Sequence, residues 1–368
     1  MTKFLIAEWA LGVNLLTTGL FLAFGAGWLA DLSGASWFAF VSLWLLAVMF
    51  SSAFAVVRHA EVLAVKLGEP YGTLILTLAV TGIEVMMLAS IMYTGKGNSA
   101  LARDAMMAVV MIALNGMVGL SLILGGLRYR EQAYNLQGAN AFLAVILPLA
   151  VLGLIQPNFT VTTPGPVYSL VQAGFLIIMS LVLYGVFLGI QTSRHRDYFV
   201  SPSEPAGESE PHSPGHAVRS VPFHSAMLIF YVVPLVVLSK QIGVPINHAI
   251  QVLRAPPELA GLLVSVLILS PESLAAIRAA LANQLQRSVN VLLGSVLASI
   301  GLTIPAVLAI GFLTGQQIVL GLGATDTNLL LLTLVLSTLT FAAPRTNVLF
   351  GAVHLVVFFA YLLFIFER

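Results

Sequence analysis

The chain has 368 residues, of which 59% are hydrophobic and 8% are charged, and its mean hydropathy is +0.99. Soluble domains carry roughly 25% charged residues, so this composition indicates a polytopic membrane protein. The absence of cysteine excludes disulfides, thiolate metal sites and cysteine nucleophiles. The net charge of +1 gives no sign of a nucleic-acid partner, and the predicted partner is the lipid bilayer.

Eleven apolar segments along the chain are long enough to be membrane spans. A bilayer core about 30 Å thick requires about 20 apolar residues per helix. The fold class predicted from this pattern is an all-α polytopic membrane protein with about eleven transmembrane helices. The segments lie near residues 10–30, 35–57, 71–93, 105–125, 141–156, 167–191, 223–240, 257–277, 289–311, 326–343 and 347–366.

A polar stretch from Thr192 to Pro222 separates the sixth span from the seventh. It is rich in proline, glutamate and histidine, a composition typical of a disordered linker. Its histidines match no zinc-binding spacing. The simplest domain organisation is one N-terminal helix, a five-helix repeat, the linker and a second five-helix repeat. The predicted bounds are 1–34, 35–191, 192–222 and 223–368.

Lysine and arginine are distributed unevenly between the two sides of the predicted spans. Only five of the sixteen lie on the side away from the N-terminus, and cytoplasmic loops retain positive charge during insertion. This bias predicts a cytoplasmic N-terminus and a cytoplasmic linker. Because five is an odd number, the second repeat must enter the membrane from the opposite side, which makes the two repeats inverted. The five are Lys96, Arg103, Lys240, Arg254 and Arg368.

Glu84 and Glu272 lie inside strongly apolar segments, at matching places in the two halves. An ionisable group at the centre of a bilayer costs about 2.5 to 3.5 kcal/mol on insertion scales. Two such acids in equivalent positions indicate a cation site. We therefore predict that the carboxylates of Glu84 and Glu272 are the metal ligands.

Neutral polar residues accompany each acid. Thr77 and Ser265 each precede an acid by seven residues, which is two turns on the same helix face. In the helix that follows each acid, Asn115 and Ser295 place a small polar side chain within an apolar span. Gly294 precedes Ser295, and small residues of this kind let helices approach closely.

The backbone beside the acids is predicted to be irregular. Ser270-Pro271-Glu272 puts a proline inside a span and frees the carbonyl that its missing N–H would bind. In transporters, broken helices near the midplane use such carbonyls together with carboxylates to coordinate cations. Gly82, two residues before Glu84, allows a comparable distortion. The alternative is that Pro271 and Gly82 only kink two packed helices, and the adjoining acids make it the less favoured one.

His354 has two possible roles within the last span. It could relay protons, but a hydrogen-bonded structural histidine is favoured because no acid lies near it in sequence. Arg103 and Asp104 are predicted to form a solvated pair at a helix entrance.

A charged cluster follows the second span. It could gate cytoplasmic access, although an interfacial amphipathic helix with side chains that reach the lipid headgroups is favoured. Its members are Arg58, His59, Glu61, Lys66 and Glu69.

Several stretches of the chain resemble bacterial calcium/proton antiporters. They are SSAFAVVRHAE at 51–61, LGEPYG at 67–72, PES at 271–273, NQLQ at 283–286, GSVLASIGLTIP at 294–305, and RTN at 345–347 with His354. On these residues the chain is similar to the ChaA type of antiporter within the calcium/cation antiporter superfamily. The likeness covers nearly the whole chain and is densest around the two glutamates.

This resemblance implies ten core helices in two inverted halves, with an acid from each half meeting at a central site. It implies exchange of cytoplasmic Ca²⁺, with Na⁺ or K⁺ as further candidates, for external protons across a bacterial inner membrane. By the family pattern, Glu84 and Glu272 carry the ions and protons, and Asn115 and Ser295 supply neutral oxygens. No cofactor is implied besides the transported ions. Many superfamily members have an asparagine close before the glutamate, and its absence here means that ion preference is not inherited.

Charge also favours exchange without reference to any family. Two carboxylates in a low-dielectric site repel one another and lack hydration, so they are expected to hold protons near physiological pH. Either two protons or one Ca²⁺ cancels both charges, whereas the empty, doubly ionised site is costly to occlude. A single Na⁺ would leave one negative charge unless one proton remained bound.

Other classes of function fit the sequence less well. A hydrolase would need a nucleophile with its base or a His-Glu-x-x-His motif, and the spans contain neither, so no catalytic residue is assigned. A cation-selective channel stays as the alternative, because rings of acids also select cations. The two-half arrangement is better suited to alternating access. The sequence leaves the oligomeric state open.

Overall fold

The computed structural model describes residues 8–68, 71–94, 99–201 and 220–367. Within these ranges the chain forms eleven long helices, which confirms the predicted all-α polytopic class. Ten of them are long and apolar enough to cross a bilayer. The exception is the helix at Ala324–Thr340, which has 17 residues. The helices are α1 Trp9–Trp28, α2 Ala35–Leu67, α3 Tyr71–Thr94, α4 Leu101–Tyr129, α5 Leu136–Phe159, α6 Leu170–Arg194, α7 Val221–Gln251, α8 Glu258–Leu281, α9 Leu285–Thr314, α10 Ala324–Thr340 and α11 Val348–Phe366.

Four of these helices contain a π-helical turn, in which an extra residue locally widens the helix. Such turns often occur at functional sites. They lie at Met111–Met117 in α4, Val151–Ile155 in α5, Ile190–Arg194 in α6 and Ser299–Thr303 in α9. A two-stranded antiparallel pairing joins two loops, with β1 at Gln132–Ala133 and β2 at Arg345–Thr346.

Side-chain caps fix the starts of three helices. Asn135 and Asn347 each accept a hydrogen bond from the backbone N–H two residues later, at the start of α5 and of α11. Ser169 and Gln172 form a reciprocal capping box at the start of α6. These caps satisfy N–H groups that have no partner within the helix.

The helices divide into two compact units. The first contains α1, α2, α3, α7 and α8 up to Ser270, and the second contains α4, α5, α6, α9, α10, α11 and α8 from Pro271 onward. Each unit draws helices from both predicted repeats, so a repeat and a compact unit are different divisions of the chain. The boundary within α8 lies one residue before Glu272.

In the first unit, α2 packs against α1, α3 and α7. Its buried face includes Val41, Leu45 and Met49, while Phe21 of α1 meets the ring of Trp44 edge-on. The opposite face of α1 exposes large apolar side chains such as Leu16. An apolar exposed face suits a helix surrounded by lipid tails.

In the second unit, α4 is the most deeply buried helix and packs against α9, α10 and α11. Its closest neighbour is α11, where Gly119 and Gly351 face each other. A Cβ atom placed on Gly119 would lie 2.9 Å from the Gly351 carbonyl oxygen, and one on Gly351 would lie 2.7 Å from the Gly119 carbonyl oxygen. The two backbones are therefore in direct contact, as expected where small residues meet in membrane helices.

Two predicted boundaries were wrong. The second helix continues to Leu67 instead of ending near 57, because apolar residues such as Leu63 keep one face of the added turns buried. The predicted linker begins later than Thr192, since α6 reaches Arg194 and Phe199 packs against Phe142 and Phe187. Burial of this aromatic ring orders the polar residues around it. Residues 202–219 lie outside the described part of the chain.

The contact between Gly119 and Gly351 predicts a steric cost for any added side chain. Gly119→Ala should lower the free energy of unfolding in detergent by about 1–3 kcal/mol, because backbone and Leu355 must shift to make room. Gly185→Ala is the matched control, since a Cβ there meets nothing within 4 Å. A denaturant titration of both variants measures the difference. Equal stability of the two would contradict the close contact.

Candidate functional site

Glu272 lies in α8 directly after Pro271. The helix is continuous from Glu258 to Leu281, so the predicted break at the proline is not seen. Pro271 still lacks the N–H that would bind the Leu267 carbonyl, and the preceding Ser270 hydroxyl donates to the Val266 carbonyl. The Glu272 side chain is half-buried. It belongs to the second unit.

The Glu272 carboxyl and the Ser295 hydroxyl form a hydrogen bond, so two of the predicted site residues are in contact. Ser295 Oγ also lies 2.9 Å from the Val291 carbonyl oxygen. A serine has one hydroxyl hydrogen and cannot donate to both acceptors at once. An ionised Glu272 would accept that hydrogen, whereas a protonated Glu272 would donate its own to Ser295 and leave the serine to bond Val291. The pair can therefore accommodate both charge states of the acid.

Asn115 lies in the π-helical turn of α4 and is fully buried in the second unit. Its Nδ2 donates to Thr333 Oγ1 over 2.8 Å, and its Oδ1 lies 3.0 Å from His354 Nδ1. The other ring nitrogen of His354 lies 2.9 Å from Thr340 Oγ1. This confirms that His354 is a hydrogen-bonded buried histidine. The sequence did not indicate that its partner is Asn115.

Glu84 lies in α3 of the first unit and is only 1% exposed. The helix runs without interruption through Gly82, and a Cβ built on Gly82 would meet open space. Thr77 is half-buried, and Ser265 of α8 is fully buried. A carboxyl group this deeply buried requires a proton, a cation or hydrogen bonds to offset its lost hydration.

Ser299 is a further polar residue whose position matches that of Asn115 when the two halves are aligned on their helix starts. Asn115 lies 14 residues after Leu101, the start of α4, and Ser299 lies 14 residues after Leu285, the start of α9 (115 − 101 = 299 − 285). Both are buried in π-helical turns. The sequence analysis matched Asn115 with Ser295 instead. The connection between α3 and α4 is longer than the one between α8 and α9, which shifts the alignment of the following helices. Counting from the helix starts corrects for that difference.

A second group of polar residues ties together three helices of the first unit. The buried Glu8 carboxylate lies 2.5 Å from Arg58 Nη2, 2.9 Å from the Tyr231 hydroxyl and 3.5 Å from His59 Nε2. On the other side of the ring, His59 Nδ1 lies 2.9 Å from His224 Nδ1. His59 therefore faces the protein interior. The prediction that the side chain of His59 reaches the lipid headgroups was wrong, because Glu8 and His224 give it partners in the interior. The Arg58 side chain is 49% exposed, so the prediction of an interfacial role for it stays a prediction.

The remaining charged residues of that region behave differently. Glu61 is exposed, Lys66 is half-buried, and Glu69 lies outside the described residues. Arg103 and Asp104 form a 2.7 Å ion pair at the start of α4 in the second unit, and Asp104 is buried. The prediction of a solvated pair was wrong, since Arg103 neutralises the carboxylate where water has little access.

The described residues contain no cluster of acidic and histidine side chains of the kind that holds a metal ion. Across residues 8–68, 71–94, 99–201 and 220–367, no three or more histidine, aspartate or glutamate side chains are grouped to hold an ion.

Multiple membrane-length helices with buried carboxyl groups and neutral oxygen donors are typical of membrane ion transporters. The family model for sodium/calcium exchanger proteins matches residues 37–193 and 223–367, and the chain belongs to that family. A sodium-potassium/proton antiporter, ChaA of Escherichia coli, is 41% identical over 89% of this chain and 88% of its own length. A putative ionic transporter, y4hA of Sinorhizobium fredii, is 41% identical over 86% of both chains.

Solved structures share the fold at much lower sequence identity. Native YfkE superposes with a TM-score of 0.74 at 16% identity and covers 97% of this chain and 99% of its own. An H⁺/Ca²⁺ exchanger, CAX, superposes with a TM-score of 0.66 at 13% identity and covers 95% of this chain and 88% of its own. The helices described above are therefore those of a cation exchanger fold.

The Glu8 carboxylate is buried while its partner Arg58 is half-exposed, and this predicts a difference between two otherwise similar substitutions. Glu8→Gln should lower the free energy of unfolding in detergent by about 1–2 kcal/mol, mainly because Tyr231 loses a buried acceptor, since solvent screens the half-exposed Arg58. Glu131→Gln, in an exposed pair with Arg345, should change it by less than about 0.5 kcal/mol. A denaturant titration compares them, and an unchanged Glu8→Gln would contradict a structural role for the pair.

Proposed function

We propose that this protein is a secondary active antiporter that exports Ca²⁺ from the cytoplasm in exchange for protons, with Na⁺ or K⁺ as further cargo. Membership of the exchanger family supports cation exchange, and the similarity to the sodium-potassium/proton antiporter of Escherichia coli supports monovalent ions and protons. The observation that carries the proposal is the Glu272 and Ser295 pair, which can adapt to both a protonated and an ionised acid.

Charge balance explains why such a transporter would exchange its ions. A carboxylate within a membrane helix is costly unless a proton or a cation neutralises it. In the proposed cycle, Glu84 and Glu272 release protons as Ca²⁺ binds and regain them as it leaves. The unloaded, doubly charged form is the least stable state, so neither ion crosses without the other.

The ligands proposed for the cation are mostly neutral. Ca²⁺ takes 6–8 oxygen ligands at about 2.3–2.6 Å. Besides the carboxylates of Glu84 and Glu272, we propose the Ser295 hydroxyl, the Asn115 amide oxygen, backbone carbonyls near Pro271 and water. Ser299 joins this set through its position in α9. A single Na⁺ or K⁺ would use the same oxygens while one acid keeps its proton.

The proposed setting is the inner membrane of a bacterium, with the N-terminus and the 192–222 region in the cytoplasm. The excess of lysine and arginine on that side supports this orientation. After α1, five helices, α2 to α6, come before residues 202–219, and five, α7 to α11, come after them. This order supports the proposed inverted repeats and a cycle of alternating access.

The two acids should be essential for exchange. In everted vesicles with an acidic interior, addition of Ca²⁺, Na⁺ or K⁺ should dissipate the pH gradient, as followed with a pH-sensitive dye. Glu84→Gln and Glu272→Gln should each abolish that response while the protein stays inserted, because each removes a titratable charge at nearly constant volume. Glu258→Gln, which alters the first residue of the same helix α8, is the matched control and should retain exchange.

Three results would count against the proposal in different ways. Normal exchange by either glutamine variant would make that acid structural. Absence of any response in the wild-type protein, despite insertion and a sealed gradient, would exclude the antiporter. Cation uptake without proton movement would instead favour a cation-selective channel.

The Ser295 hydroxyl should affect the cation more than the amount of folded protein. Ser295→Ala removes a donor to the ionised carboxylate, so the cation concentration for half-maximal exchange should rise about tenfold. Ser295→Thr keeps the hydroxyl and should restore most of the affinity. Ser42→Ala, whose hydroxyl bonds the Phe38 carbonyl of its own helix α2, serves as the control. An unchanged half-maximal concentration in Ser295→Ala would exclude this role.

A further inference from the structure

We propose that Thr333, Thr340 and His354 are positioning residues that lock the Asn115 amide in one orientation, with its oxygen toward His354. The network lies wholly in the second unit, and all four side chains are fully buried. The proposal rests on the proposed function, because Asn115 is one of the oxygen donors of the transported cation. The orientation of an amide must be deduced from its partners, since its oxygen and nitrogen are similar in size.

Thr333 determines one end of the amide. Its hydroxyl oxygen lies 2.7 Å from the Leu329 carbonyl oxygen, one turn earlier in α10, and 2.8 Å from the Asn115 amide. The Leu329 carbonyl only accepts and is the nearest acceptor, whereas the Met111 sulfur is a weak acceptor at 3.3 Å, so we assign the single hydroxyl hydrogen of Thr333 to Leu329. Thr333 Oγ1 then faces Asn115 as an acceptor, and the group opposite must be the amide NH₂. The second hydrogen of that NH₂ points toward the Met111 sulfur at 3.5 Å.

The other end of the amide follows from the first. With the NH₂ group on Thr333, the amide oxygen faces His354 Nδ1 at 3.0 Å, so Nδ1 must carry a hydrogen. The neutral ring then has a bare Nε2, which accepts the Thr340 hydroxyl hydrogen over 2.9 Å. Every polar hydrogen in the chain of contacts thus has an acceptor.

The reversed amide satisfies fewer groups. In that orientation the Thr333 hydroxyl would donate to the Asn115 amide oxygen, and its 2.7 Å contact with the Leu329 carbonyl would have no hydrogen. The reversed amide would also turn the NH₂ group toward His354 and require the opposite tautomer, with Nε2 donating to Thr340. In a fully buried site, each lost hydrogen bond is costly because no water replaces it. The observed contacts therefore select one amide orientation and one imidazole tautomer together.

This arrangement has a consequence for ion binding. His354 uses one lone pair of the Asn115 oxygen, and the second lone pair stays in a fixed direction as an available ligand. A ligand held in place before the ion arrives needs no reorganisation, and the groups that hold it typically alter metal affinity 10–100-fold when they are removed. Thr333, Thr340 and His354 would act on affinity without touching the ion.

Transport kinetics test the role of the hydroxyl groups. Thr333→Val and Thr340→Val should each raise the cation concentration for half-maximal exchange at least tenfold with a smaller change in maximal rate. Thr333→Ser and Thr340→Ser should restore it, because each keeps the oxygen. Ser337→Ala is the matched control, since this buried hydroxyl lies on the same face of α10 and has no partner in the described residues. Equal half-maximal concentrations in Thr333→Val, Thr340→Val and Ser337→Ala would overturn the proposal.

A spectroscopic measurement tests the orientation without any transport. In full-length protein labelled with ¹⁵N-histidine, the His354 signal, identified by its loss in His354→Gln, should show the neutral tautomer with hydrogen on Nδ1. Thr340→Val should weaken that preference, and Thr340→Ser should restore it. The opposite tautomer in the wild-type protein would overturn the proposal even if no cation were exchanged. Failure of exchange with the expected tautomer would count against the proposed function alone.

Discussion

The cost of placing a polar or ionisable group in a membrane helix governs this structure. Water is absent from the bilayer core, so each carboxyl, amide or imidazole there needs a partner within the protein or a bound ion. Glu272 has the Ser295 hydroxyl, Asn115 has Thr333 and His354, and Glu84 is buried almost completely. The helices of the second unit are arranged so that these partners meet.

Close packing of small residues makes that arrangement possible. Gly119 and Gly351 bring the backbones of α4 and α11 into contact, which places His354 within hydrogen-bonding distance of Asn115. The π-helical turn of α4 contains Asn115 and presents it toward α10 and α11. Backbone geometry and side-chain chemistry therefore act together, since neither a wider turn nor a polar residue alone would form the network.

The same rule operates at the charged cluster of the first unit. Glu8, Arg58, His59, Tyr231 and His224 connect the start of α1 with α2 and α7 through contacts of 2.5 to 3.5 Å. The Glu8 carboxylate is buried, and the half-exposed Arg58 offsets its charge. Such a cluster differs from the exposed pair of Arg345 and Glu131, whose charges remain hydrated.

Composition and periodicity by themselves determined the membrane class, the number of long helices and the two acids within them, because apolar length and isolated charges are properties of the linear chain. They also identified Ser295 as a polar residue of the helix that follows Glu272. Only the tertiary structure decided that Ser295 bonds Glu272, that His354 serves Asn115, and that His59 and Asp104 are buried. It also placed Ser299 in the register of Asn115. These facts depend on distances between helices far apart in sequence, and hydropathy carries no record of which helices become neighbours.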